Sequence, residues 1–218
     1  MQTNASTPAQ TVFVVDDDDG MRVGLDSLVR SVGYRTKHFV SARAFLDSGQ
    51  YNEPGCLVLD VRLPGMSGLE FQELLVERGV TMPIVFMTGH GDIPMTVRTM
   101  KAGAVDFLTK PFREQDMLDA LQTALKKDLK IRAELDQTAD ARNRYRSLTT
   151  REQEVLRLVV QGKMNKQIAF DLGLSEITVK IHRGNAIRKM GTTSIPQLVR
   201  AVESLGASDT TVGTHPHV

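Results

Sequence analysis

Several things are scarce in this chain, and each shortage removes a class of function. One cysteine, Cys56, stands in 218 residues. Neither a disulfide framework nor a cysteine-built zinc site can be made from it, and a reducing, cytoplasmic setting fits. Long apolar runs are missing, which excludes a transmembrane helix and any membrane partner. The opening MQTNASTPAQ has neither the basic segment nor the apolar core of a signal peptide. Residues 1–10 are therefore expected to be a disordered leader and residues 207–218 a disordered tail. No internal repeat is present. Net charge is nearly absent too: 27 Lys plus Arg against 26 Asp plus Glu leave +1. That balance advertises neither a nucleic-acid binder nor an acidic tail.

What is there argues for two domains. The hydrophobic content of 41% over this length can fill two small cores. From residue 11, short apolar runs alternate with segments of helical period. The runs are Thr11 to Val15, Cys56 to Leu59, Ile84 to Met87 and Ala104 to Leu108, with a more polar, edge-like run from Tyr34 to Phe39. Between them lie Met21 to Val32, Ser41 to Leu46, Leu69 to Val76, Pro94 to Lys101 and Gln115 to Leu125. Apolar strands separated by helices predict a parallel sheet covered on both faces, an α/β doubly wound domain over 11–126.

Beyond Leu125 the spacing Leu118, Leu121, Leu125, Leu129 thins into a segment rich in Ala, Asp, Lys and Arg, so 127–146 reads as a helical linker. A second unit, 147–206, opens on a capping box from Thr149 to Glu152. Four helical segments follow, Thr150 to Gln161, Asn165 to Leu172, Ser175 to Met190 and Ile195 to Leu205, punctuated by Gly162, Gly173 and Gly191. Dividing the charge here changes its meaning. Residues 1–125 carry 11 basic and 16 acidic groups, a net −5, and residues 126–218 carry 16 and 10, a net +6.

Ligands of open parallel sheets bind beyond the carboxyl ends of the strands. Those exits hold Asp16-Asp17-Asp18-Asp19, then Asp60, then Thr88, then Lys110-Pro111. Carboxylates crowded at one rim call for a divalent cation, and Mg²⁺ (or Mn²⁺) suits a site that keeps room for phosphate oxygens. A hydroxyl and an ammonium facing the same spot complete a cradle for a tetrahedral anion. The chemistry this suits is phosphoryl transfer to Asp60, with Thr88 and Lys110 on the phosphoryl oxygens; an ionised carboxylate needs no separate base. Asp18 and Asp19 read as solvated helix-start charges, Cys56 as a core thiol and His90 as a loop imidazole. A phosphatase with an Asp-x-Asp-x-Thr/Val loop is disfavoured because Gly20 holds the Thr/Val position, and an EF-hand would need a ligand at Val15.

Val14-Val15-Asp16-Asp17, the run from Leu57 through Asp60 to Gly68, Met87-Thr88-Gly-His-Gly-Asp92 and Lys101-Ala-Gly-Ala-Val-Asp-Phe-Leu-Thr-Lys-Pro-Phe112 resemble the receiver domain of bacterial two-component response regulators. The resemblance implies a flavodoxin-like five-stranded sheet of order 2-1-3-4-5 and Asp60 as the phosphoacceptor. It also implies Asp17, Asp60 and the Arg62 backbone carbonyl as metal ligands, with Asp16 acting through water. Thr88 and Phe107 become the switch residues, and the Lys110-Pro111 bond is implied to be cis.

In the basic half, the helix ending at Gly173 and the helix capped by Ser175 have helix-turn-helix spacing. On a helical wheel Val179, His182, Ala186 and Met190 share the core face. Lys180, Gly184 and Arg188 lie opposite, flanked by Ile177 and Ile181, a face suited to phosphate, guanine edges and thymine methyls. Leu148-Thr-Thr-Arg-Glu-Gln-Glu-Val-Leu156, Asn165-Lys-Gln-Ile-Ala169, Ser175 to Arg183 and Lys189-Met-Gly191 resemble the LuxR-type helix-turn-helix. Position by position, that implies base reading by Lys180, Ile181 and the slot at Gly184. Phosphate contacts are implied for Asn165, Lys166, Thr178, Arg183 and Lys189. Receiver plus this module resembles the NarL/FixJ family in its FixJ-like branch, and more finely a StyR-like regulator of aromatic-hydrocarbon catabolism. The expected protein is a transcriptional regulator rather than an enzyme, at most slowly autodephosphorylating. It is phosphorylated by a sensor histidine kinase, dimerises, binds operator DNA and activates through RNA polymerase. A metal-dependent phosphatase and a protein-binding adaptor are the rival readings.

Overall fold

Five short runs pair as parallel strands because the chain supplies two buried faces for the three central ones and only one half-buried face for the outer two. In the computed structural model, which describes residues 10–89 and 93–209, the strands are β1 (Thr11–Val15), β2 (Arg35–Phe39), β3 (Gly55–Asp60), β4 (Ile84–Thr88) and β5 (Asp106–Thr109). Their order is β2-β1-β3-β4-β5, all parallel, as expected. Every residue of β1, β3 and β4 is buried, whereas β2 and β5 are half exposed at the edges. The leader to residue 9, His90 to Asp92 and the tail from residue 210, with the expectations placed on them, lie outside the described residues.

Strand alternation divides the core in two. Phe13, Val15, Leu57, Leu59 and Phe86 face one side, where Phe13, Phe39, Phe45 and Phe71 meet edge to face at 5.2–5.9 Å between ring centres. Val12, Val14, Cys56, Val58, Val85 and Met87 face the other, under α1 (Asp19–Ser31) and α5 (Glu114–Arg146). Burial pushes the Cys56 thiol up, so it stays protonated, a packing residue as expected. The first face is covered by α2 (Ala42–Asp47) and α3 (Gly68–Glu77), and α4 (Ile93–Lys101) precedes β5. Asp18 is more than a solvated charge: its side chain caps α1 by accepting from the Met21 N–H at 3.1 Å.

The linker is helical, but it is no separate element. Helix α5 runs without a break from Glu114 to Arg146. Its buried stripe is Met117, Ala120, Leu121, Ala124, Leu125 and then Asp128, while Leu129 is 37% exposed. The leucine spacing read from the sequence is thus out of phase at its end.

The chain divides into two compact units, Met1–Arg132 and Ala133–Val218. The second unit contains α6 (Thr150–Val160), α7 (Asn165–Leu172), α8 (Glu176–Met190) and α9 (Ile195–Asp209) around Leu148, Val155, Leu156, Ile168, Val179, Ala186 and Leu198. The capping box at Thr149 and Glu152 and the cap at Ser175 are formed. Helix α9 runs to Asp209, into the segment expected as tail. At Gly191, φ is +66° and an added Cβ would lie 1.6 Å from the Arg144 guanidinium, which donates to the Met190 carbonyl at 3.1 Å. The C-terminal end of α5 is therefore part of this unit's packing. Among the described residues, no helix is long and apolar enough to cross a membrane.

Candidate functional site

Strand register assembles the acidic rim. Val15 pairs with Leu59 and Asp60 with Met87, so Asp16 and Asp60 leave neighbouring strands at one level, with Thr88 one residue further along β4. Carboxylate oxygens of Asp16, Asp17 and Asp60 lie within 4.8 Å of one another. Asp16 and Thr88 are fully buried, Asp60 nearly so, and Asp17 is exposed. Lys110 leaves β5 and reaches across the rim, its Nζ donating to Asp16 Oδ2 at 2.7 Å and to Asp60 Oδ2 at 2.6 Å. The Lys110-Pro111 peptide is cis, as the resemblance implied. Phe107, aligned with Phe86, is half-buried against the first core face.

Backbone groups orient the carboxylates. The Arg62 N–H donates to Asp60 Oδ1 at 2.9 Å, and the Asp18 N–H to Asp16 Oδ1 at 2.8 Å. Burial raises the Asp16 carboxyl above the ordinary carboxylate value, against the opposing hydrogen bonds from Lys110 and Asp18. Burial also works against the Lys110 ammonium, but its hydrogen bonds to Asp16 and Asp60 and their negative charge together raise it. The site can therefore hold excess negative charge only with a cation present, and an ammonium already supplies one. Three oxygen donors with one exposed member suit a hard divalent cation that keeps water and phosphate oxygens as its other ligands. One participant escaped the sequence reading: Arg22, 12% exposed, donates to the Asp16 carbonyl at 2.6 Å and to Asp19 at 2.8 Å. Its position one turn into α1 was the signal, since that turn packs beside the strand exit.

In the second unit, α7, the turn at Gly173 and α8 form the expected helix-turn-helix. Val179, Ala186 and Met190 are buried, and His182 is half-buried. Lys180, Ile181, Gly184 and Arg188 are exposed together, with Ile177 74% exposed beside them. An added Cβ at Gly184 meets nothing within 4 Å, so no neighbour in the fold requires a glycine there.

The residues expected to touch phosphate divide by what they already do. Lys166 is exposed. Arg183 donates to Asn165 Oδ1 at 2.9 Å, tying α8 to α7, and Thr178 shares a 2.8 Å hydrogen bond with the Ser175 hydroxyl at the cap. Arg188 reaches Asn185 at 3.0 Å. Lys189 sits 2.7 Å from the buried Glu152, whose carboxyl is held below its ordinary value by Lys189 first and by the Thr149 backbone next. That geometry gives Lys189 a structural task whatever else it does. Phe170 on α7, 89% exposed, was not singled out from the sequence.

Comparison with known proteins gives the same division. Residues 12–122 match the family described as response regulator receiver domain, and residues 146–202 match the bacterial regulatory proteins of the luxR family. Nodulation protein W of Bradyrhizobium diazoefficiens is 52% identical over 206 residues, covering 94% of this chain and 90% of that protein. The transcriptional regulatory protein FixJ of Azorhizobium caulinodans is 43% identical, over 87% of this chain and 90% of its own. The solved structure of the response regulator StyR superposes with a TM-score of 0.78 at 50% identity, covering 89% of this chain and 98% of that one.

Proposed function

This chain belongs to the response regulators that join a receiver domain to a LuxR-type DNA-binding domain, in the FixJ-like branch, and from that membership we propose how its two sites act as one switch. Such a domain pair implies a sensor kinase upstream and DNA downstream. The observation that carries the reading is the convergence of Asp16, Asp17, Asp60 and Lys110 at one strand rim.

Asp60 Oδ attacks the phosphorus of a phosphohistidine on the sensor kinase; the P–O bond forms as the P–N bond breaks, and the imidazole leaves with the bond's electron pair. Lys110, already 2.6 Å from Asp60, moves from carboxylate to phosphoryl oxygen, and the Thr88 hydroxyl binds another. Asp17, Asp60 and the Arg62 carbonyl would hold Mg²⁺, with Asp16 acting through water, and that ion supplies neutralisation of the phosphoryl charge. The product adds about −1.5 to −2 charge at a buried rim. Thr88 and Phe107 reposition in response, the surface between Pro94 and Leu125 pairs with a second copy, and two α8 helices come to lie one DNA turn apart. Lys180, Ile181 and the Gly184 slot read bases, with Asn165, Lys166, Thr178, Arg183 and Lys189 on the DNA backbone and Arg188 reaching phosphate or a guanine edge.

The bound protein activates through RNA polymerase in the cytoplasm. The acyl phosphate is lost slowly, with no turnover of a separate substrate. Identity of 50% to StyR supports the finer reading as a regulator of aromatic-hydrocarbon catabolism. Acyl-phosphate labelling tests the core of this account. Asp60→Asn should abolish it with the circular dichroism unchanged, and labelling that survives the substitution would refute Asp60 as acceptor.

A further inference from the structure

The buried stripe of α5 ends on a carboxylate. Met117, Ala120, Leu121, Ala124 and Leu125 are followed, at the next inward position, by Asp128, which is 2% exposed. A buried carboxylate is costly unless its oxygens are satisfied. Here they are: the Gly55 N–H donates at 2.9 Å, Arg132 Nε at 2.9 and 3.0 Å to the two oxygens, and the Gln10 amide at 3.4 Å. Arg132 then spends its remaining nitrogens on the chain before β3, donating to the Asn52 carbonyl at 3.1 Å and to the Glu53 carbonyl. Gln10 also donates to the Leu125 carbonyl at 2.8 Å. The seat is tight, because an added Cβ at Gly55 would lie 1.8 Å from the Thr11 carbonyl.

What these groups grip matters more than their number. Gly55 is the first residue of β3 and Asp60 its last. Thr11 begins β1, Gln10 immediately precedes it, and the strand's other end leads into Asp16 and Asp17. The same two strands therefore carry the phosphoryl site at one end and the anchor of α5 at the other. A hydrophobic residue at position 128 would bury more apolar surface but fix no register, whereas a carboxylate with aimed donors accepts one helix position.

We propose that Asp128 and Arg132 are positioning residues that latch α5 to the starts of β1 and β3, so that the linker helix leaves the receiver at a register set by the strand bearing Asp60. The role in signalling rests on the proposed function; the latch itself does not. Asp128→Asn and Arg132→Gln, with the exposed Lys126→Gln as control, are compared in the full chain. The measurements are amide exchange of 126–134 and affinity, with and without acetyl phosphate, for a duplex that the wild-type protein selects from a random pool. Both latch variants should exchange that segment about tenfold faster or more, as loss of charge-assisted hydrogen bonds predicts. Labelling of Asp60 and unphosphorylated DNA affinity should match wild type, while most of the phosphorylation-linked gain, typically about 5- to 150-fold in coupled systems, should disappear. Unchanged exchange overturns the latch, and a retained gain despite faster exchange overturns its coupling role. A wild-type chain with no gain contradicts the proposed function instead, and the exchange comparison still decides the latch. If Asp128→Asn does not fold, Arg132→Gln, which leaves the Gly55 and Gln10 donors in place, carries the test.

Discussion

At the residue scale, charged groups sit where water is scarce. Asp16 is fully buried and its carboxyl is raised, chiefly by desolvation. A carboxyl whose folded value exceeds its unfolded one stabilises the fold only when protonated; that contribution is full below the ordinary 3.8 and is lost as pH rises through the folded value. Asp16→Asn should therefore raise the melting temperature at neutral pH while weakening divalent-cation binding. A lower melting temperature would show that the Lys110 pair outweighs desolvation. Glu152 has the opposite sign: its lowered carboxyl contributes stability present above the ordinary 4.5 and lost as pH falls through the folded value. Glu152→Gln should destabilise the second unit by about 1–2 kcal/mol at pH 7, with the difference from wild type closing in acid. A difference that stays constant with pH would contradict the Lys189 pairing.

At the element scale, α8 is the proposed reading helix, and two effects of a glycine-to-alanine change separate there. Gly184→Ala should stabilise the helix by about 1 kcal/mol, because nothing in the unit meets the added methyl group. Calorimetry and a gel shift on the same variant decide its role: a higher melting temperature with weakened DNA binding supports close approach to the groove, and unchanged binding removes the slot from the reading. Lys180→Ala should lower operator affinity and relax one base preference, whereas Lys189→Ala should chiefly cost stability, since its ammonium is committed to Glu152. Footprints unaltered by Lys180→Ala would count against α8 as the reading helix.

Elements were legible in the sequence where one physical signal dominated. Central strands, with both faces buried, appear as unbroken apolar runs, and caps such as Ser175 and Thr149 announce helix starts. The rim residues Asp16, Asp17, Asp60 and Lys110 were legible because strand ends converge by topology. Asp128 was not, because the leucine spacing suggested Leu129 faced inward and an aspartate does not look like a core position until its donors are seen. Arg22 was hidden similarly, as an ordinary helix charge whose partner is a backbone carbonyl. The end of α9 was misplaced because Gly206 is a poor helix former and Ser208 a weak one, yet the backbone stays helical to Asp209.

At the scale of the whole molecule, the near-zero net charge is an average over an acidic receiver and a basic DNA-binding unit, and each sign serves its own site. The Lys110 pairs with Asp16 and Asp60 offset part of the negative charge at the rim, and a phosphoryl group on Asp60 would add to that charge. DNA binding by the basic unit should weaken steeply with salt, as counterion release requires, and a salt-independent gel shift would favour a protein-binding adaptor. The most direct measurement of the switch is a genomic footprint of the wild-type protein and Asp60→Asn, each with and without acetyl phosphate. Occupancy of specific sites should rise on phosphorylation in the wild type alone; equal footprints from the two proteins under both conditions would contradict the coupling of Asp60 to DNA.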